Sequence, residues 1–141
     1  ISLGLPAYIP AEYMPDEHQR LVTYKRISLA AAEEALSELR GELTDLYGFV
    51  PPEVDNLFEV IRVKNMLKVI KGKKMGYDGK KLMIVFHEKS PIDPVKLVEL
   101  SRKKLKGMKL TPDYKLFLPM PNLSDDEIIR QAKALLQELT N

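Results

Sequence analysis

The sequence contains no cysteine. That excludes disulfides and thiolate metal sites, and makes a reducing, cytoplasmic setting the expected one. It has no apolar run long enough to span a bilayer and no signal-peptide pattern at its start, so no membrane role is expected. Its glycines are scattered, and none belongs to a Walker-type lysine motif. The two histidines, His18 and His87, have no partner at metal-ligand spacing. One falls in the first turn of a predicted helix and the other at the end of a predicted strand, and both read as surface or structural residues. No serine carries a local nucleophile signature. Carboxylate pairs are abundant, as in any glutamate-rich helix, and mark no active site. No catalytic residue, cofactor site or metal site emerges, and the chain by itself is expected to bind rather than to catalyse. The net charge of +2 is too small, as a total, to suggest nucleic-acid binding.

What is present is a chain of 141 residues, enough for one domain with a core of its own. It begins at Ile1 and is expected to be a piece of a longer protein. The small total charge hides an asymmetry. Glu33, Glu34, Glu38, Glu42, Asp45, Glu53, Asp55 and Glu59 share their stretch with one base, Arg40. Arg62, Lys64, Lys68, Lys71, Lys73, Lys74, Lys80 and Lys81 share theirs with one acid, Asp78. Such blocks either keep two faces solvated or select partners by charge.

Residues 1–15 hold Pro6, Pro10 and Pro15 among apolar and aromatic side chains, which predicts an extended strap lying on a folded surface. Residues 16–141 are expected to form a single α+β domain of about five helices and two short β-hairpins. Asp16 caps a predicted helix reaching about Ser28, with Leu21, Tyr24 and Ile27 as its apolar positions. A second helix, about Ala31 to Tyr47, carries an apolar stripe of Leu36, Leu39, Leu43 and Leu46. Glu38, Glu42 and Asp45 form an acidic stripe roughly 120° away. Gly41 is costly inside this helix, and its missing side chain suggests close approach by another element. The central helix is predicted over about 52–71, apolar on two sides and ended by Gly72. A hairpin follows, from Lys74 to Tyr77 and Lys81 to His87 about an Asp78-Gly79 turn. Asp93-Pro94 opens a fourth helix reaching about Leu105. Met108 to Leu110 and Tyr114 to Leu118 read as two short strands. Ser124 and Glu127 make a capping box for a last helix burying Ile128, Ile129, Ala132, Leu135, Leu136 and Leu139.

Two surfaces are candidates for binding. Glu38, Glu42 and Asp45 can meet arginines on a partner protein, in pairs that orient and select more than they hold. The alternative is a nucleic-acid contact through residues 62–81, using Lys64, Lys68, Lys71, Lys73 and Lys74 near Tyr77. Lysines at the end of a helix also suit its macrodipole without any ligand.

Leu5-Pro6-Ala7-Tyr8-Ile9-Pro10, Tyr13-Met14-Pro15-Asp16, Arg20-Leu21 and Tyr24-Lys25-Arg26-Ile27 resemble the opening of the C-terminal domain of bacterial transcription-repair coupling factors. The resemblance continues through Glu34, Leu36, Leu39, Glu42-Leu43, Asp45 and Tyr47-Gly48, then Leu57, the hairpin and the Asp93-Pro94 helix. It implies a regulatory, autoinhibitory piece of an ATP-driven DNA translocase acting in transcription-coupled excision repair. The motor, with its ATP and magnesium, would lie outside this chain, and RNA polymerase and DNA would be met by other domains. This domain would dock on a UvrB-like N-terminal module and mask the surface that binds UvrA until the parent engages stalled polymerase. The family's docking acids correspond to Glu42 and Asp45. Where the family can carry an arginine after the second acid, this chain has Leu46. By itself the domain is expected to be monomeric.

Overall fold

The computed structural model describes residues 1–103 and 107–140, with the side chains of Pro94 and Lys103 left aside. The chain divides into two compact units: a helical unit, Leu5–Arg62, and a sheet unit formed by Ile1–Gly4 with Val63–Asn141. The first fifteen residues are shared between them. The division also separates the charge. The helical unit has five basic and 11 acidic side chains, a net of −6, and the sheet unit 17 basic and nine acidic, a net of +8.

The helical unit holds α1 (Glu17–Leu29), α2 (Glu33–Tyr47) and the first part of α3 (Pro52–Val69). Asp16 caps α1 as expected, its Oδ1 accepting from the backbone N–H groups of His18 (2.9 Å) and Gln19 (3.4 Å). The buried positions of α1 are Thr23 and Ile27. Leu21, expected in the core, is 61% exposed. Positions three apart drift by about 60° per step, so Leu21 lies about 120° from Ile27. Leu46 of α2 is 67% exposed, against expectation, while Leu36 and Leu43 are buried. It lies about 80° from Leu36 in the last turn, where the apolar stripe has left the core. Gly41 opens no passage for another element: a methyl group there would meet nothing within 4 Å.

The core of this unit is built from Ile9 and Met14 of the incoming segment, Ile27, Leu36, Leu43 and Val50, and Val54, Phe58 and Ile61 of α3. The incoming segment is pinned by hydrogen bonds as well as by apolar contact. Ile9 N–H donates to the Tyr24 hydroxyl (2.6 Å), Tyr8 N–H to the Glu53 carbonyl (3.2 Å), and Asn56 Nδ2 to the Pro6 carbonyl (3.1 Å). Arg20 Nη1 donates to the carbonyls of Met14 (2.8 Å) and Pro15 (2.9 Å).

The sheet unit contains the end of α3, the strands β1 (Gly72–Tyr77) and β2 (Lys81–Phe86), α4 (Pro94–Lys103), β3 (Lys109–Leu110), β4 (Lys115–Pro119) and α5 (Asp125–Thr140). The two expected hairpins join into one antiparallel sheet of order β1-β2-β4-β3. Leu82 pairs with both Tyr77 and Leu118, and Ile84 with both Met75 and Leu116. Period-two alternation therefore buries Met75, Leu82, Ile84, Phe86, Leu116 and Leu118. Ser2 adds a parallel bridge to the edge of β1, with Ser2 N–H on the Met75 carbonyl (2.9 Å) and Tyr77 N–H on the Ser2 carbonyl (3.0 Å). The last helix buries the six residues expected, and its capping box forms.

Three boundaries differ from expectation. α3 stops at Val69, and Lys71, not Gly72, takes the left-handed turn that ends it (φ 53°). Gly72 serves close packing: a methyl group there would lie 2.2 Å from Leu67 Cδ1. β1 therefore starts two residues early. The β1–β2 connection runs from Tyr77 to Leu82, longer than a two-residue Asp-Gly turn, and Asp78 Oδ1 accepts from the N–H groups of Lys80 and Lys81 (2.9 Å each). The expected end of the fourth helix near Leu105 lies outside the described residues.

Candidate functional site

All three acids of the predicted stripe are exposed on α2, but they differ in what holds them. Glu42 is gripped from α1 by Arg26, whose Nη1 and Nη2 donate to its two oxygens at 2.9 and 2.8 Å. That pair of hydrogen bonds holds the Glu42 carboxyl below the usual glutamate range and raises Arg26. Among the described residues, Glu38 and Asp45 have no ion-pair partner.

The remaining cations of the helical unit are largely committed elsewhere. Arg40, the one base in the acidic stretch, forks onto Asp55 of α3 (Nε–Oδ1 2.7 Å, Nη2–Oδ2 3.2 Å). Arg62 bridges Glu33 (2.9 Å) and Glu59 (2.7 Å). Burial works against its charge, but the two carboxylates outweigh burial and raise its pKa. Arg20 is spent on backbone carbonyls. Glu38 and Asp45 are left with their charge facing solvent.

Beside the acids lies a depression of about 330 Å³ between α1 and α2. Leu29, Ala30, Ala35 and Leu39 supply its apolar part, and Arg26, Glu38 and Glu42 its charged part. Leu29 is 71% exposed, a large apolar side chain left in water. This apolar component was not among the candidates visible in the sequence. Its only signal was a leucine directly before the break between two helices.

The C-terminal end of α2 is held from the incoming segment. Tyr13 packs against Tyr47 with ring centroids 5.3 Å apart, and its hydroxyl donates to the Leu43 carbonyl (3.3 Å). Partial burial and the neighbouring Tyr47 raise the Tyr13 phenol above its ordinary range, with Arg40 opposing. Gly48 ends α2 at φ 82°. No base stands in the last turn, so Asp45 faces the negative end of the helix dipole uncompensated.

The predicted lysines are only partly brought together. Lys68, Lys71 and Lys73 line one depression with Gly72, His87 and Lys89. Lys64 and Lys74 do not line it. His87 was read from the sequence as a surface or structural residue and Lys89 was not singled out, because nothing local in the chain tells which segment meets the end of α3. Among the described residues, no group of three or more His, Asp or Glu is placed to hold a metal ion, and no helix is long and apolar enough to cross a membrane.

The arrangement defines a two-part α+β domain that presents an acidic, apolar-floored surface on one unit and a lysine cluster on the other. Comparison with known proteins gives the family. The family model described as the TRCF domain matches residues 3–97. The chain is 34% identical, over its whole length, to a transcription-repair-coupling factor of Myxococcus xanthus, of which it covers 12%. It is 30% identical over 91% of its length to that of Haemophilus influenzae, and 31% identical over 74% to that of Escherichia coli, covering 11% and 9% of those proteins. A solved structure described as the C-terminal domain of transcription-repair coupling factor superposes with a TM-score of 0.83 at 26% identity, covering 98% of this chain and 89% of that one. The chain belongs to the transcription-repair coupling factor family, and it spans about a tenth of the length of these relatives.

Proposed function

We propose that this domain is the regulatory docking piece of a larger transcription-repair coupling factor. It seats the acidic stripe of α2 against a UvrB-like N-terminal module of the same parent and covers the surface that UvrA would bind. Engagement of stalled RNA polymerase by the parent releases it. The parent is an ATP-dependent DNA translocase whose motor, with its ATP and magnesium, lies outside this chain.

The observation that carries the reading is the pair of acids with no ion-pair partner among the described residues, Glu38 and Asp45, flanking an internally paired Glu42 beside an apolar-floored depression. A charged rim about an apolar floor is how protein interfaces are commonly built. Carboxylates in that setting select arginines, which bind them bidentately. Exposed pairs of this kind are individually weak and are screened by salt, so the contact is reversible.

The test uses the full-length parent carrying Glu38→Arg and Asp45→Arg. These positions avoid the Arg26–Glu42 pair, so the fold is spared. The expected result is raised UvrA binding, with a domain that melts no lower than the unaltered one. Unchanged UvrA binding would remove the stripe from the docking interface.

A further inference from the structure

The lysine cluster of the sheet unit has a construction that the acidic docking role does not use. α3 ends at Val69, and the next turn is closed by three donors. Lys71 N–H reaches the Lys68 carbonyl (3.0 Å), the Ser90 hydroxyl the Ile70 carbonyl (2.6 Å), and His87 N–H the Lys71 carbonyl (2.9 Å). A helix C-terminus ordinarily repels anions through its unsatisfied carbonyls. Here the carbonyls of Lys68 and Ile70 at the helix end, and of Lys71 just after it, are occupied. The same bonds bring the segment after β2 onto the helix end, which delivers His87 and Lys89 to Lys68, Lys71 and Lys73.

The result is a depression of about 330 Å³ lined by Lys68, Lys71, Gly72, Lys73, His87 and Lys89, with no acid in its lining. Glu88, the nearest acid in sequence, lines a different depression with Phe86 and Ser90. Among the described residues, none of the four lysines has an ion-pair partner. Lys89 N–H donates to His87 Nδ1 (3.1 Å), which leaves the imidazole Nε2–H as a further donor.

Two details point to use of these side chains. Lys71 sits at φ 53°, where glycine or asparagine is the ordinary residue. A lysine takes that conformation here at a backbone cost. Gly72, directly after it, leaves no room for a Cβ against Leu67, which holds the start of β1 close to the helix end with Lys71 and Lys73 on either side. All four cations are lysines. Lysine binds phosphate well as a point charge, whereas recognition of planar carboxylates favours arginine. The sheet unit's net charge of +8 favours a polyanion over a single small anion.

We propose that Lys68, Lys71, Lys73, Lys89 and His87 form a phosphate-binding pocket that takes the backbone of nucleic acid. The contact carries no base readout. It is independent of the acidic stripe and lies on the other unit.

The test is fluorescence anisotropy of the 141-residue chain with a fluorescein-labelled DNA duplex, titrated across salt. Three to four phosphate contacts predict a slope of about −3 in log K against log salt. Lys71→Gly suits the left-handed backbone and removes only the side chain. It should weaken binding about tenfold at about 50 mM salt and reduce the slope by about 0.9. Lys73→Gln should weaken binding in the same way and guards against a fold change at Lys71. Lys80→Ala, in the turn at the far end of the β1–β2 hairpin, should change neither affinity nor slope. Inorganic phosphate should compete only as its ionic strength predicts. No duplex binding at low salt overturns the proposal, and so does an equal loss with Lys80→Ala. Displacement of the duplex by inorganic phosphate well beyond its ionic-strength effect overturns the nucleic-acid assignment.

Discussion

Gly41 and Gly72 predict opposite outcomes for the same substitution, and the difference can be worked from their surroundings. Gly41 is the ninth of the fifteen residues of α2, has an ordinary helical φ, and has nothing within 4 Å of where a methyl group would stand. Alanine there gains the full helix-propensity difference, about 0.8–1 kcal/mol. If the whole chain melts as one cooperative unit, that is about 3 °C in Tm; if residues 5–62 melt by themselves, it is about 8 °C, because the same free energy is divided by a smaller unfolding entropy. Gly72 lies at the start of β1, and its added methyl group would stand 2.2 Å from Leu67 Cδ1 and 2.6 Å from Leu67 Cγ. Leu67 is buried and must change rotamer. Overpacking costs about 1–3 kcal/mol, against about 0.5–1 kcal/mol gained by replacing a strand glycine, so Gly72→Ala should destabilise by about 1–2 kcal/mol. Urea unfolding followed by circular dichroism, with an unchanged m-value, reads both variants on one scale. A destabilised Gly41→Ala would refute the reasoning, since it would mean that something packs on that face of α2 in solution.

Stability should plateau at neutral pH and fall at both extremes. Glu42, Asp78, Asp113 and Glu127 are held below their ordinary values by, respectively, Arg26, the N–H groups of Lys80 and Lys81, the Thr111 hydroxyl, and Ser124. Their contributions are complete above the unfolded values of about 3.9–4.3 and are lost as pH falls through the lower folded ones. Tyr13 is raised, so its contribution is complete below about pH 10 and is lost as pH climbs through its folded value. Melting curves between pH 2 and 11 check both limbs; a flat acid limb would contradict the first. Ser124→Ala should cost about 1 kcal/mol, because it removes the hydroxyl that accepts from Glu127 N–H (3.3 Å). It should also return the Glu127 carboxyl toward its ordinary value, which a carboxylate NMR titration would follow.

The sequence made legible what is written locally. The cap at Asp16, the box at Ser124 and Glu127, the glycine stop after Tyr47 and the buried stripe of α5 each depend on residues within a few positions of one another. Their chemistry admits few alternatives. What required the tertiary structure was long-range. Whether the strands form one sheet depends on β2 pairing with β4 across some thirty residues, and no local pattern specifies that register. The exposure of Leu21 and Leu46 depends on where the core ends. The same holds for the candidate sites. Three exposed acids were visible as a spacing, but the Arg26 grip on Glu42 comes from another helix, sixteen residues away. The lysine pocket drew three members from the basic stretch, one from the predicted end of a strand and one from just beyond it.

On its exposed face α2 breaks three rules that its buried face keeps. Glu38, Glu42 and Asp45 stand at repelling i,i+4 and i,i+3 spacings. Gly41 lies among them, and Asp45 meets the negative end of the helix without a compensating base. Leu36 and Leu43, on the other side, are buried as an amphipathic helix requires. Local rules broken together on one face are characteristic of a surface kept for something other than stability. Repairing them should have two effects. Glu38→Gln, Gly41→Ala and Asp45→Lys together should make the isolated domain more stable, with Gly41→Ala supplying about 1 kcal/mol and the charge changes adding to it. In the full-length parent the same triple variant should lose its grip on the docking module and bind UvrA more readily. A triple variant that is more stable and binds UvrA no more readily than the unaltered protein would show that the broken rules serve no docking surface.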